Sequence, residues 1–249
     1  MSELQNEPRP QGRSAGITPV STSADHRVAV ARERRERMRT RLLEATLSVW
    51  AAEDGVNEAT VIRHVIDAAG VSRATFYKHF SSLDEAAAAL GSDLSDEMVE
   101  ELSPIQRAVT DPLMRASVGI QFFLWRGFHD RTWGRFVSRS HHVVVERSKF
   151  IRHVGEDLRN GLEGGAFAFT RSDAALTLNN GSLKEGIAAL SRGLGDPASF
   201  IEALASMILL GFGVDRTVAS TAVQEGADIL RERAPSLYAW WPAENLRVP

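Results

Sequence analysis

Apolar residues recur every three to four positions along most of this chain, and no stretch shows the sustained two-residue alternation of a half-buried strand. The pattern predicts an all-α fold. In MRTRLLEATLSVWAAEDG, Met38, Leu42, Ala45 and Val49 interleave with Leu43, Leu47 and Trp50, giving about five turns of helix that Gly55 ends. In VIDAAGVSRATFYKHF, a second apolar face breaks at Gly70 and resumes at once in a short helix. Ser81 and Ser82 then offer an N-cap, with Asp84 and Glu85 in the first turn, where the helix dipole favours acids. Leu90, Leu94, Met98 and Leu102 carry one face of that helix forward until Pro104 interrupts it.

The break at Gly70 has the form of a helix-turn-helix. Glycine takes the positive φ of a tight turn, Val71 points back to pin the turn against a core, and Ser72 stands where an N-cap belongs. Phe76 and Phe80 fall four apart and share a buried face. Ala74, Thr75 and Lys78 are thereby turned outward, with Arg73, Tyr77 and His79 on the flanks. All of these except the alanine can donate a hydrogen bond, which suits phosphate oxygens and the acceptor-rich base edges of the major groove. An ordinary amphipathic surface helix is the alternative reading of the window taken alone.

Charge sharpens the choice. Between Arg27 and Arg41 stand seven arginines and two glutamates, a local charge of +5 in a chain of net charge −3. A solvated helix face accounts for such a run in general. Beside a helix-turn-helix, Arg32, Arg34, Arg35 and Arg39 are expected to steer toward or line a phosphate backbone. Residues 1 to about 28 lack periodicity and apolar surface and are expected to be a disordered leader.

Taken together, Arg39-x-x-Leu42-Leu43-x-Ala45, Gly55, Ala69-Gly70-Val71-Ser72 and Thr75-Phe76-Tyr77-x-His79-Phe80 resemble the tetracycline-repressor (TetR) family of transcription regulators. The resemblance covers about 55 residues and implies three segments: a leader over 1–28, a helix-turn-helix DNA-binding domain over 29–83, and a helical effector-binding and dimerisation domain over 84–249. It implies that Arg73, Ala74 and Thr75 face base edges while Tyr77, Lys78 and His79 hold the sugar-phosphate backbone. Arg39, Thr60 and Ser72 complete the implied DNA-binding set. The chain departs from the family pattern in three places: one extra residue between Gly55 and Gly70, Ile66 where a small alanine is usual, and Leu83 where a lysine is usual.

The rest of the chain reads as further helices. Pro112 opens one at Leu113 that runs into an aromatic cluster of Phe122, Phe123, Trp125, Phe128, Trp133 and Phe136. Another is expected from about Ser140 to Leu162, closed by Gly164 and Gly165. Gln121, Phe122, Trp125, His129, Trp133 and His141 are the expected lining of a mainly apolar effector pocket, although such a stripe is more often plain core. His142 with Glu146, and His153 with Asp157, have the spacing of shared metal ligands, but no third ligand accompanies either pair, and no metal or other cofactor is expected. Leu183, Ile187, Leu190 and Leu194 form one apolar stripe. Phe200, Ile201, Leu204, Met207, Ile208 and Gly211 form another, so homodimerisation is expected through the helices near 183–194 and 198–211.

Composition narrows the class. There are no cysteines, which rules out disulfides and thiolate metal sites. No apolar run approaches the roughly 20 residues of a membrane helix, and the first residues lack an apolar secretory core. A cytoplasmic protein is expected. The chain contains no nucleophile elbow, phosphate-binding glycine loop, dinucleotide fingerprint or zinc-protease signature, which argues against an enzyme. The expected function is sequence-specific binding of an operator duplex, with repression relieved by an unknown small-molecule effector. The alternative is a helical adaptor whose helix-turn-helix grips protein.

Overall fold

The computed structural model describes residues 23–52, 58–139 and 148–241. All regular structure among them is helical: α1 (Ser23–Ala52), α2 (Glu58–Ala69), α3 (Arg73–His79), α4 (Leu83–Gln106), α5 (Pro112–His129), α6 (Arg131–Arg139), α7 (Lys149–Glu163), α8 (Ser172–Ser191), α9 (Pro197–Gly211) and α10 (Arg216–Leu237). The chain divides into two compact units, residues 1–38 and 39–249.

In the first unit the described residues are the opening turns of α1. Helix is already present at Ser23, so the end of the segment expected to be a leader is ordered as helix. Arg27, Arg32, Arg34, Arg35 and Arg37 are all exposed. Arg37 pairs with Glu33 one turn back at 3.4 Å, a surface pair of small energetic weight.

In the second unit, polar caps decide where most helices begin. Ser82 accepts from the backbone of Glu85 at 3.0 Å, and Glu85 reaches back to the backbone N–H of Ser81. These hydrogen bonds to Ser81 hold the Glu85 carboxyl below its usual range. Asp111 caps α5 ahead of Pro112, and Asp196 caps α9 ahead of Pro197. Two helix boundaries differ from expectation. Pro104 does not end α4, which continues to Gln106. The proline is exposed and lies in the last turn, where few ladder bonds remain to be lost, and the Arg107 N–H already bonds the Ser103 carbonyl again. The helix expected from about Ser140 begins at Lys149, because Ser148 is extended and caps it by accepting from Ile151.

Helix α5 is the centre of this unit and packs against α4, α6, α7, α8, α9 and α10. Its residues Ser117 to Leu124 are buried without a break, as befits a helix surrounded on all sides. Its approach to α10 is close because Gly226 has no side chain: a Cβ there would stand 2.7 Å from Ser117 Oγ. That closeness lets Ser117 donate to the Ala222 carbonyl at 2.7 Å and Gln121 to the Val223 carbonyl at 3.0 Å.

One expected partner surface proves internal. Leu183, Ile187 and Leu190 of α8 are buried among the helices of the same protomer, with only Leu194 exposed. Helix α8 packs against α5, α6, α7 and α9. Helix α9 divides differently, with Ile201, Ala205, Ile208 and Leu209 inward while Met207 is 65% exposed.

Candidate nucleic-acid interface and effector cleft

The turn between α2 and α3 is built from the residues the sequence singles out. Gly70 has φ +59°, the Val71 N–H bonds the Ile66 carbonyl and the Gly70 N–H bonds the Asp67 carbonyl, both at 3.1 Å. This paired closure terminates α2 and requires the left-handed conformation at Gly70. Ser72 then caps α3, accepting from the Thr75 backbone at 3.1 Å and lying 2.9 Å from the Thr75 hydroxyl. Phe76 and Phe80 are buried, with centroids 6.0 Å apart, and set the helix on its base.

The outward face of α3 carries Arg73, Ala74, Tyr77 and Lys78, all exposed, with Thr75 and His79 half-buried. The Arg73 guanidinium lies 5.6 Å above the Tyr77 ring, which is itself edge-on to Phe76. Thus Arg73 is laid along a ring anchored to the core, not left to sweep freely. Thr60 is half-buried near the start of α2. Two expected DNA contacts have internal partners: Ser72 spends its hydroxyl on the cap, and Arg39 pairs with Asp93 of α4 at 3.0 Å while lying over the Phe80 ring. Arg41 is a cation the sequence reading did not single out. Its guanidinium reaches within 3.0 Å of where a Gly70 Cβ would stand, beside the turn. No spacing rule in the sequence points to it.

A second feature lies beside α5. A narrow cleft is walled by Leu102, Ile120, Phe123, Phe150, Leu183 and Phe212. Its polar residues are Gln106, Arg115, His153, Asp157 and Asn179. Arg115 reaches Asp157 through Nε at 3.0 Å and through Nη2 at 3.1 Å, and it also donates to the Gln106 carbonyl at 3.2 Å. That last bond satisfies the open C-terminal end of α4, so one guanidinium ties α4, α5 and α7 together at the edge of the cleft.

Of the residues expected to line a pocket, Gln121, Phe122, Trp125, His129 and Trp133 do not border this cleft. Gln121, Phe122 and Trp133 are buried on other sides of α5 and on α6, and His141 lies outside the described residues. Trp125 and His129 join a separate cluster: the two rings stack at 5.5 Å, and both lie against Trp241. The aromatic density had suggested a lining, but the far end of the chain returns to fill that space with Tyr238, Trp240 and Trp241. His153 and Asp157, expected only as a weak metal pair, do belong to the cleft, whereas His142 and Glu146 lie outside the described residues.

Burial in the aromatic cluster lowers the pKa of His129 to about 4. The folded form therefore holds the ring neutral, while the unfolded chain takes up a proton near 6.5. His129 accordingly contributes stability that is complete above about pH 6.5 and is lost as pH falls toward 4. Because the ring is only partly shielded, the expected loss is about 1–2 kcal/mol. Unfolding titrations of wild type and His129→Phe should diverge across that window; parallel curves would remove His129 from the acid response.

A helix-turn-helix whose polar face is open, ahead of a helical body enclosing a cleft of mixed polarity, defines a helix-turn-helix regulator. Residues 42–90 match the model of bacterial regulatory proteins of the tetR family. The crystal structure of RolR in complex with its ligand resorcinol is similar to this chain at TM-score 0.61 and 25% identity, covering 77% of this chain and 95% of that one. RolR without ligand is similar in fold at TM-score 0.56 and 22% identity, covering 74% and 96%. No curated protein matches the chain. Residues 42–90 therefore carry the helix-turn-helix domain of tetR-family regulatory proteins, and the chain as a whole is similar to RolR. Among the described residues no helix is long and apolar enough to cross a membrane, and no group of three or more metal-ligating side chains is present.

Proposed function

We propose that this protein binds an operator duplex as a homodimer and is released from it by a small molecule taken up in the cleft beside α5. The observation that carries the reading is the face of α3, where Arg73, Ala74, Tyr77 and Lys78 stand exposed over the buried Phe76 and Phe80. In this reading residues 29–83 form the DNA-binding domain and 84–249 the effector and dimerisation domain. Arg73, Ala74 and Thr75 address base edges, with Tyr77, Lys78, His79 and Thr60 on the backbone. Arg41 replaces Arg39 as the neighbouring cation, since Arg39 is held by Asp93.

Dimerisation follows from the size of the reader, because one seven-residue helix touches too few base pairs for selectivity and a two-fold pair doubles the set. The outward side of α9, with Ala203 and Met207 exposed, supplies the pairing surface in place of the buried α8 stripe. The crystal structure of RolR with resorcinol supports a small-molecule effector for this fold.

Helix α4 supplies the link. It begins at Leu83, immediately after the reader, and its far end borders the cleft through Val99, Leu102 and Gln106. At 24 residues it is a rod of about 36 Å. A ligand that favours a different placement of α4 shifts the spacing of two readers, and the coupling equals its preference between the two geometries, about 1–3 kcal/mol. Repression is the sign of regulation this mechanism serves.

The test compares operator fragments, selected from genomic DNA, with scrambled duplex. Arg73→Ala is expected to cost about 1–3 kcal/mol on operator and to blunt base discrimination. Lys78→Ala should weaken both duplexes alike and reduce the salt dependence by about one unit of slope. Equal loss of selectivity in the two variants would overturn these roles. Binding of duplex that ignores salt, or none at all, would favour a protein-gripping adaptor.

A further inference from the structure

The polar end of the cleft is unusual in its balance of donors and acceptors. Arg115 has five N–H groups, and they are already directed at Asp157, at the Gln106 carbonyl and side-chain oxygen, and at the Val109 carbonyl. Because arginine can only donate, the Gln106 atom facing it is the carbonyl oxygen Oε1. His153 Nε2 lies 2.7 Å from that same oxygen and therefore carries the ring proton and donates it there. Both obvious donors are thus committed inside the protein.

Acceptors remain. The Asp157 carboxylate offers about four lone-pair sites and takes its hydrogen bonds from Arg115. Asn179, only 4% exposed, spends one side-chain N–H on Asn180, which leaves its second N–H and a carbonyl oxygen that meets no side chain among the described residues. A carboxylate entering here gains no guanidinium N–H and no counter-charge of its own, because Arg115 is already paired with Asp157. A hydroxyl or other N–H or O–H donor finds two acceptors, and the walls around it are aliphatic and aromatic.

We propose that the cleft selects compact, uncharged molecules that carry hydrogen-bond donors on an apolar ring, and rejects carboxylates of the same shape. The proposal rests on the cleft being the effector site, and its test keeps the two apart. Full-length protein is titrated with phenol, benzyl alcohol and benzoate by calorimetry and ligand-observed NMR. Both alcohols should bind at least about tenfold more tightly than benzoate. Asp157→Asn, which leaves Arg115 without its counter-charge, should reverse that order. Asn179→Ala should weaken the alcohols and leave benzoate unchanged, and it serves as the deciding variant if Asp157→Asn fails to fold.

Benzoate binding as well as the alcohols in wild type would overturn the charge preference while leaving the cleft as the effector site. Absence of binding by every probe at low-millimolar concentration would overturn it too. Gly119→Val reports on the site itself. Gly119 borders the cleft, and a Cβ there meets Leu102 at an ordinary 3.5 Å, so the larger side chain occupies the space without forcing the backbone. Affinities unchanged in Gly119→Val would place the probes elsewhere and remove the effector-site reading.

Discussion

Arg126→Ala is expected to lower the unfolding free energy by about 3–5 kcal/mol, the range for stripping one partner from a buried ion pair. For a chain of this size that is a fall in melting temperature of about 10 °C or more. Arg126 is 6% exposed and holds two carboxylates of α4, Glu97 at 3.1 Å and Glu101. Its guanidinium lies 5.2 Å from the Trp133 ring and 5.4 Å from the Trp240 ring, between an α6 residue and one that follows α10. Tyr238 adds a hydrogen bond to the Glu101 carbonyl.

Removing the cation leaves Glu101 in the worst position. Burial already pushes its pKa up, against the pull of Arg126, so without Arg126 it must either protonate or stay charged in a half-buried site without its counter-charge. Arg126→Lys should recover only part of the loss, since an ammonium can neither fork to two carboxylates nor lie flat between rings. Arg126→Met combined with Glu101→Leu should recover more, because an apolar pair leaves no stranded charge. Denaturant unfolding of wild type and these three variants measures the losses and tests that order. A single-variant loss below about 1 kcal/mol would show that α4 is held by packing alone.

Phe76→Ala should cost about 3–5 kcal/mol locally and abolish duplex binding. The ring is fully buried, and α3 has only seven residues, far fewer than a helix needs to persist without tertiary support. The expected signature is a small loss of far-UV helicity, intact effector binding in the cleft, and no retention on heparin or duplex. Arg73→Ala, by contrast, should keep all helicity while losing discrimination. If Phe76→Ala still bound operator with wild-type affinity, the recognition role of α3 would be wrong.

The reader was legible in the sequence because its determinants are local. A glycine that must take positive φ, a serine cap and two phenylalanines four apart act within one or two turns, and the backbone bonds around Gly70 follow directly from them. The cap of α4 was readable for the same reason. Pro104 was misread because a breaker has force only where ladder bonds remain for it to break, and its distance from the helix end depends on where α4 stops.

The chain by itself determined that this protein is all helical, where its helix-turn-helix lies and which face of α3 is polar. Tertiary structure alone decided the rest. Arg115 and Asp157 are 42 positions apart, and Tyr238 reaches back 137 residues to Glu101, separations at which periodicity carries no information. An apolar stripe states only that a helix face must be covered, not by what. Thus the Leu183 to Leu190 face was buried within its own protomer, and the aromatic wall of α5 was closed by the chain's own tryptophans. Burial is indifferent to sequence distance, so which apolar face meets which is settled only when the whole chain packs.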